Sequence, residues 1–280
     1  MKPVDYRNQT ILVTGASSGI GVAFARALAG RGANLVLVAR RLDRLETLAT
    51  ELQAAHGIRA TAIKLDLGSA AAGQALRQAT DDLGLSITGV VNNAGFGTDG
   101  PFHDEDPEKL ADEIAVDIAA LVDISRAYIE PLRAASPGIL VNLASVAAHQ
   151  PIPGMAVYSA SKAFVLNFTE ALWFESRSTG LRVLALSPGL TKTEFFDVLG
   201  ADEYKGSYET PEQVVQTALK ALDRNHQPSV TSGRRNAFLA SAARLFTRRR
   251  AVIIAASFGS SSSGTQVTAA QVTAEASRRS

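Results

Sequence analysis

The sequence predicts an α/β fold, a doubly wound parallel sheet with helices covering both faces. Three observations point there. Short apolar and β-branched runs recur along the chain, at 10–13, 34–38, 60–65, 87–91, 139–143, 182–186 and 229–231. Runs such as Asn34 to Val38 (NLVLV) are apolar almost without alternation, as strands buried on both faces are. Between the runs lie segments with apolar residues three and four apart, and strands alternating with such helices imply parallel crossovers. The third observation is Thr14 to Gly21 (TGASSGIG), a glycine-rich turn set between the first strand and the first helix.

Composition narrows what the fold can do. A chain of 280 residues, 46% hydrophobic and 20% charged, can bury a large core and has the balance of a soluble globular protein. A net charge of +1 supplies no global field for nucleic acid, and none is expected as a partner. There is no cysteine, which excludes disulfides and thiolate chemistry and fits a reducing, cytoplasmic location. His56, His103, His149 and His226 are scattered without an acidic cluster, so no metal is expected. The N-terminal stretch lacks the basic flank and long apolar run of a signal peptide. No apolar run approaches the ~18 residues of a membrane span.

Taken in order, Thr10 to Val13 is the first strand. Gly15, Gly19 and Gly21 permit a tight turn and close approach of backbone to a ligand. With Ser17, Ser18 and Ile20 they aim a helix N-terminus at the turn, a geometry suited to a pyrophosphate, or they form a plain strand-to-helix turn. The second strand ends at Ala39, where a fold preferring NAD carries an acid for the ribose hydroxyls. Arg40 and Arg41 follow instead. Guanidinium groups recognise phosphate in bidentate fashion, so the reading is NADP in preference to NAD, unless both arginines are solvated residues opening the next helix. That helix spans Leu42 to Ala55. The third strand ends at Asp66-Leu67, where the carboxylate either accepts from an adenine amino group or caps a helix starting near Ser69. The fourth strand runs into Asn92-Asn93-Ala94-Gly95, a crevice of amide and backbone dipoles or a turn.

Pro107 to Ala134 reads as one long helix with Leu110, Ile114, Ile118, Leu121, Ile124 and Tyr128 on its apolar face and Asp117 beside that face. A buried strand, Ile139 to Leu143, then delivers Ser145. The next helix begins near Tyr158 and extends to about Ser178. Tyr158 and Lys162 are four apart and share a face. A lysine cation there favours the tyrosinate and lowers the phenol pKa from about 10. Ser145 can hydrogen-bond the same substrate oxygen, which makes a unit for moving a proton on or off a carbonyl or alcohol oxygen. The sixth strand ends at Ser187-Pro188-Gly189. In the irregular segment 190–210, Thr191 and Thr193 can donate to phosphate or carboxamide oxygens. Phe195, Phe196, Val198, Leu199, Tyr204 and Tyr208 can line an apolar pocket. A helix from Pro211 to about Leu222 and a strand at Ser229 to Thr231 close the sheet.

Residues 1–233 thus form the expected catalytic domain and 234–258 a helical extension. In that extension, Asn236 to Phe246 is amphipathic and Arg248-Arg249-Arg250 precedes AVIIAASF. It packs over a cleft or a subunit, or makes peripheral contact with a membrane surface. Residues 259–280 are polar and of low complexity, and disorder is expected.

Thr14–Gly21 as TGASSGIG, Asn92–Gly95 as NNAG, Ser145, Tyr158 with Lys162, and Pro188-Gly189 together resemble the single-domain branch of the short-chain dehydrogenase/reductases, in order and separation, from about residue 7 to 230. The resemblance implies a Rossmann sheet of order 3-2-1-4-5-6-7 and NAD(P) as cofactor. It implies Tyr158 as general acid/base, Lys162 holding the nicotinamide ribose, and Ser145 positioning the carbonyl. Gly15, Ser17 and Ile20 would lie near the phosphates, Asp66 near adenine and Asn92 near the adenosine ribose. Ser18, Gly19, Gly21, Leu67, Ala94, Gly95, Pro188, Gly189, Thr191 and Thr193 complete the expected cofactor site. Homodimers or homotetramers form in this family through the long helices that here carry Asp117 and Tyr158. One position departs from the pattern: Asp117 stands where the family usually has asparagine, and an ionised carboxylate there would raise the lysine pKa. The expected activity is hydride transfer between NADP and a small hydrophobic carbonyl or alcohol. The alternatives are reduction of a β-ketoacyl group on a carrier protein and a low-activity NADP(H)-binding regulatory or scaffold protein.

Overall fold

The structure, a computed structural model, describes residues 3–195, 207–224, 227–243 and 246–256. Strands β1 (Thr10–Thr14), β2 (Asn34–Ala39), β3 (Ala60–Lys64), β4 (Gly89–Asn92), β5 (Gly138–Leu143), β6 (Leu181–Ser187) and β7 (Ser229–Thr231) form one sheet in the order β3-β2-β1-β4-β5-β6-β7. Every pairing is parallel. The chain winds from β1 outward to β3, then returns to β4 on the far side of β1. That reversal leaves a crevice beyond the carboxyl ends of β1 and β4, where open sheets of this kind bind ligands.

Helices α1 (Gly19–Ala29), α2 (Leu42–His56), α3 (Ala72–Asp82), α4 (Pro107–Ile114), α5 (Leu121–Ala134), α6 (Ala156–Glu175), α7 (Pro211–Arg224), α8 (Arg234–Ala243) and α9 (Arg248–Ala256) follow the chain. The strands alternate their apolar side chains between two cores. Ile11, Val13, Leu35, Leu37 and Val141 pack with Phe24, Leu28, Leu45 and Leu219 of α1, α2 and α7. Leu12, Val36, Val38 and Leu140 pack with Leu76, Ile124, Tyr128 and Leu132 of α3 and α5 on the other face. Burial on both faces is why these strands read as unbroken apolar runs. Beneath the site, Asn92 Nδ2 donates to Asn142 Oδ1 at 2.9 Å and to Ser125 Oγ at 3.1 Å, and Asn142 Nδ2 donates to Thr169 Oγ1 at 3.0 Å.

The predicted fold class and strand order hold, and several boundaries move. Helix α3 begins at Ala72 rather than Ser69, because Ala71 sits in the left-handed region at φ 57°. Asp66 accepts from the backbone N–H of Gly68 at 3.0 Å, which closes a local turn. The single helix expected over 107–134 is interrupted by a π-helical turn at Ala115–Ala120. One extra residue in that turn shifts the inward face, so the apolar stripe extrapolated through Ile114 is wrong there. Ile114 is 45% exposed, whereas Glu113 and Asp117 face inward at 0% and 1% exposure. Helix α6 starts at Ala156 and ends at Glu175, and α8 spans Arg234–Ala243 rather than 236–246. The tail 259–280, Phe196, Val198, Leu199, Tyr204 and His226 lie outside the described residues.

The displaced face can be tested by stability. Ile114→Lys is expected to change the unfolding free energy by no more than about 0.5 kcal/mol. Ile124→Ala, at 1% exposure in the second core, is expected to cost about 2–5 kcal/mol. Urea denaturation of the two variants checks the order; a severe loss in the Ile114 variant would mean that the uninterrupted helix is correct.

Candidate active site

The site begins with the turn after β1. Gly15 has φ +64°, and a Cβ there would lie 2.8 Å from Asn93 Nδ2 and 2.9 Å from Ala94 Cα. A Cβ on Gly21 would strike the carbonyl oxygen of Gly15. Glycine is therefore required where the turn meets the β4 crevice. Ser18, the residue before α1, makes no side-chain cap. The first N–H groups of α1 thus keep their donors and the positive end of the helix dipole directed into the crevice, where phosphate oxygens are favoured.

Asn93 holds this turn from the other side. Its Nδ2 donates to the carbonyl of Thr14 at 2.9 Å, while Thr14 Oγ1 accepts from the N–H groups of Asn93 and Ala94, each at 3.0 Å. Asn92, expected near the adenosine ribose, is instead turned into the sheet toward Asn142 and Ser125. The residue that lines the crevice is Asn93.

At the carboxyl end of β5 the chemistry assembles. Ser145 Oγ accepts from the N–H of Ala147 at 3.1 Å, so its own hydroxyl hydrogen is the one it can donate, toward Tyr158 in this structure. Tyr158 and Lys162 project from α6, with the ammonium 5.5 Å from the centre of the phenol ring. Lys162 Nζ donates to the carbonyl of Leu143 at 3.3 Å and pairs with Asp117 Oδ2 at 2.8 Å. Asp117 Oδ1 accepts from the N–H of Phe96 at 3.0 Å. The pair is packed directly beneath Gly95, where a Cβ would lie 2.7 Å from Asp117 Oδ1. Tyr158, Lys162 and Ser145 are all less than one-tenth exposed.

Burial dominates the electrostatics. It raises the Tyr158 phenol above its usual value, and the Asp117 and Glu113 carboxylates add to the rise, against lowering by Lys162 and a hydrogen bond from Ser145. The net direction is thus opposite to that expected from the lysine alone, because burial of the phenol outweighs the lysine's charge and the two carboxylates add to it. For Lys162, burial favours the neutral amine, but Asp117, Tyr158 and Glu113 outweigh it and hold the ammonium above its usual pKa. Burial likewise raises Asp117, opposed by Lys162 and by the Phe96 N–H. Glu113, one helical turn before Asp117, is pushed up to about 7 by burial, with Thr98 opposing and Asp117 reinforcing the rise.

One cavity of about 1000 Å³ joins these parts. Its walls include Gly15, Ser17, Ser18, Gly19 and Ile20 of the turn, Arg40 and Arg41 after β2, and Asp66 and Leu67 after β3. Ala94, Gly95, Ser145, Tyr158, Lys162, Pro188, Gly189, Thr191 and Thr193 complete the predicted set that lines it. The volume is at the upper end of the range for small-molecule sites. Gly21 packs behind the turn and Asp117 sits below Lys162, so neither forms part of the wall. Phe195 places its ring 5.5 Å from that of Tyr158, and Ile152, Met155, Leu239, Phe246 and Ile254 extend the apolar wall.

Sequence reasoning missed Glu113 and singled out Asn92 rather than Asn93 within the crevice, whereas the extension expected over a cleft, a subunit or a membrane surface does line the cleft through α8 and α9. Glu113 was concealed by the π-helical turn; its position four before Asp117 was the available signal. The extension after 234 carried only an amphipathic pattern, which does not say what it covers.

The sequence model for short chain dehydrogenases matches residues 9–204. A curated relative, sulfoacetaldehyde reductase 2 of Chromohalobacter salexigens, is 38% identical over 187 residues, covering 66% of this chain and 73% of its own. A short-chain dehydrogenase from Sphingobium yanoikuyae, solved in complex with NADPH, is 32% identical with a TM-score of 0.74, over 85% of this chain and 94% of that one. A solved 7β-hydroxysteroid dehydrogenase is 26% identical with a TM-score of 0.80, over 91% of this chain and 99% of that one. The chain belongs to the short chain dehydrogenase family and is an NAD(P)-dependent oxidoreductase. Among the described residues no helix is long and apolar enough to cross a membrane, and no group of three or more His, Asp or Glu side chains is placed to hold a metal.

Glu113 makes stability pH-dependent in a definite direction. Its ordinary value is 4.5 and its folded value about 7, so between these pH values the folded state holds a proton that the unfolded chain has released. Stability contributed by this group is full below pH 4.5 and is lost as pH rises to about 7. Glu113→Gln is expected to flatten this fall, read by urea denaturation at a series of pH values. An unchanged slope in the variant would show that Glu113 does not titrate there.

Proposed function

We propose that the protein is an NADP-dependent reductase of a hydrophobic carbonyl compound. One observation carries this reading: Ser145, Tyr158 and Lys162 open into the same cavity as the glycine turn and the two arginines after β2. When bound, the nicotinamide supplies hydride to the carbonyl carbon. Ser145 donates a hydrogen bond to the carbonyl oxygen, using the proton that its own acceptor bond to Ala147 leaves available. Tyr158 transfers its phenolic proton to that oxygen as negative charge develops. Lys162, fixed by Leu143 and Asp117, supports the tyrosinate as it forms and is placed to hold a ribose hydroxyl. A phenol with a raised pKa is neutral at pH 7, which suits it to donate a proton.

Ala39 in place of an acid, followed by Arg40 and Arg41 on the cavity wall, supports NADP over NAD, as does the NADPH held by the Sphingobium yanoikuyae relative. The apolar wall formed by Ile152, Met155, Phe195, Leu239, Phe246 and Ile254 supports a hydrophobic substrate. Relatives named for sulfoacetaldehyde and for a hydroxysteroid show how widely substrates differ on this scaffold. A dimer or tetramer through α5 and α6 accords with the stacked Phe164 and Phe168, of which Phe164 is 41% exposed. The lack of cysteine accords with a cytoplasmic setting.

Tyr158→Phe is expected to lower kcat for carbonyl reduction by about 10²–10⁴-fold while leaving the Kd for NADPH within twofold of the parent. Steady-state kinetics against a panel of ketones and aldehydes, with fluorescence titration of cofactor, reads both quantities. Undiminished turnover would remove Tyr158 from the proton step. Arg40→Ala and Arg41→Ala are expected to weaken NADPH by about tenfold or more and NADH little. Equal losses for both cofactors would place the 2′-phosphate elsewhere.

A further inference from the structure

Arg41 and Arg44 are already engaged by a carboxylate of this chain. Arg41 Nη1 donates to Glu194 Oε2 at 2.9 Å, and Arg44 Nη1 donates to Glu194 Oε1 at 2.7 Å. Arg41 also gives its Nε and Nη2 hydrogens to Ser17 Oγ, at 3.2 Å and 2.9 Å. Ser17, Arg41 and Glu194 all line the cavity. Each Glu194 oxygen thus takes one guanidinium, the arrangement that an oxyanion of a phosphate monoester would adopt between the same two side chains.

Glu194 is held in this place from both sides. Thr193, before it, lies against Gly19, where a Cβ would come within 2.9 Å of Thr193 Cγ2. Phe195, after it, rests against the Tyr158 ring and donates its N–H to Thr193 Oγ1 at 3.3 Å. The residues 193–195 therefore run as a strap from the glycine turn to the tyrosine, with the carboxylate presented to the arginines between those two contacts. The ion pairs are exchangeable: Arg41, Arg44 and Glu194 side chains are 40%, 46% and 44% exposed, and pairs this open to water contribute little each.

We infer that Glu194 is a cofactor-specificity residue that competes with the 2′-phosphate of NADP for Arg41 and Arg44. This rests on the NADP reading above and refines it. A dianionic phosphate and a carboxylate repel each other across a shared guanidinium pair. The phosphate must therefore displace Glu194 or bind beside it at a penalty, whereas NAD, which carries a hydroxyl there, meets no such competition. Glu194 thereby moderates the preference for NADP that the arginines create. It sets the ratio of the two affinities without touching the reacting atoms.

The test is a fluorescence titration of the full chain with NADPH and with NADH, without substrate, for the parent, Glu194→Gln, Glu194→Ala and Arg41→Ala. Both Glu194 variants are expected to bind NADPH about three- to tenfold more tightly and NADH with unchanged Kd. A thermal melt confirms that each is folded. Unchanged or weaker NADPH binding in both variants, or equal tightening of NADPH and NADH, overturns the inference. Arg41→Ala separates the two claims. If it shifts the NADPH to NADH ratio and the Glu194 variants do not, the competition is wrong and the NADP reading stands. If it leaves the ratio unchanged, the NADP reading fails and the inference with it.

Discussion

The buried ion pair between Lys162 and Asp117 is the contact that the site depends on. It joins α6 to the π-helical turn and, through Lys162 and the Leu143 carbonyl, to the end of β5. A pair this deeply buried adds little net stability, since desolvating both charges offsets their attraction. What it provides is position. Here Lys162 is held beside Tyr158 by the Leu143 carbonyl and by the charge of Asp117, which lies one layer below the cavity. Burial does most to raise the tyrosine pKa, and the same carboxylate adds to that rise while its partner lysine opposes it.

The fold was legible because its strands are apolar on both faces and its helices carry a clear period. Ile11, Leu12 and Val13 alternate between two cores, a pattern that only a sheet covered on both sides produces. The glycine turn was legible for a different reason. Asn93 and Ala94, just beyond β4, approach Gly15 so closely that a side chain is excluded, and that steric demand appears directly as residue type. The proximity of Ser145, Tyr158 and Lys162 was legible because a strand end and a helical i, i+4 spacing constrain it.

What was hidden depends on departures from regular geometry or on contacts distant in sequence. The π-helical turn inserts one residue into a 3.6-residue period, so extrapolating the stripe from Leu121 and Ile124 back to Ile114 put the wrong residue inward. The net direction of the Tyr158 shift required knowing how deeply it is buried and that two carboxylates stand behind the lysine. The choice between Asn92 and Asn93 turned on strand phase. With Asn92 as the last residue of β4, adjacent side chains point to opposite faces, and only the pleat decides which amide meets the crevice. Glu194 lies about 150 positions from the arginines that it meets, a pairing that no local spacing announces.

The buried amides have a mechanical consequence. Asn92 and Asn142 stand opposite each other in neighbouring strands, bonded side chain to side chain, and Asn142 reaches on to Thr169 of α6. A slide of β5 against β4 by a single residue would break both bonds and strand two amides in an apolar layer. The amide chain therefore works as a dowel through the sheet, setting the height of the strand that carries the serine against the strand that carries the crevice before any ligand arrives.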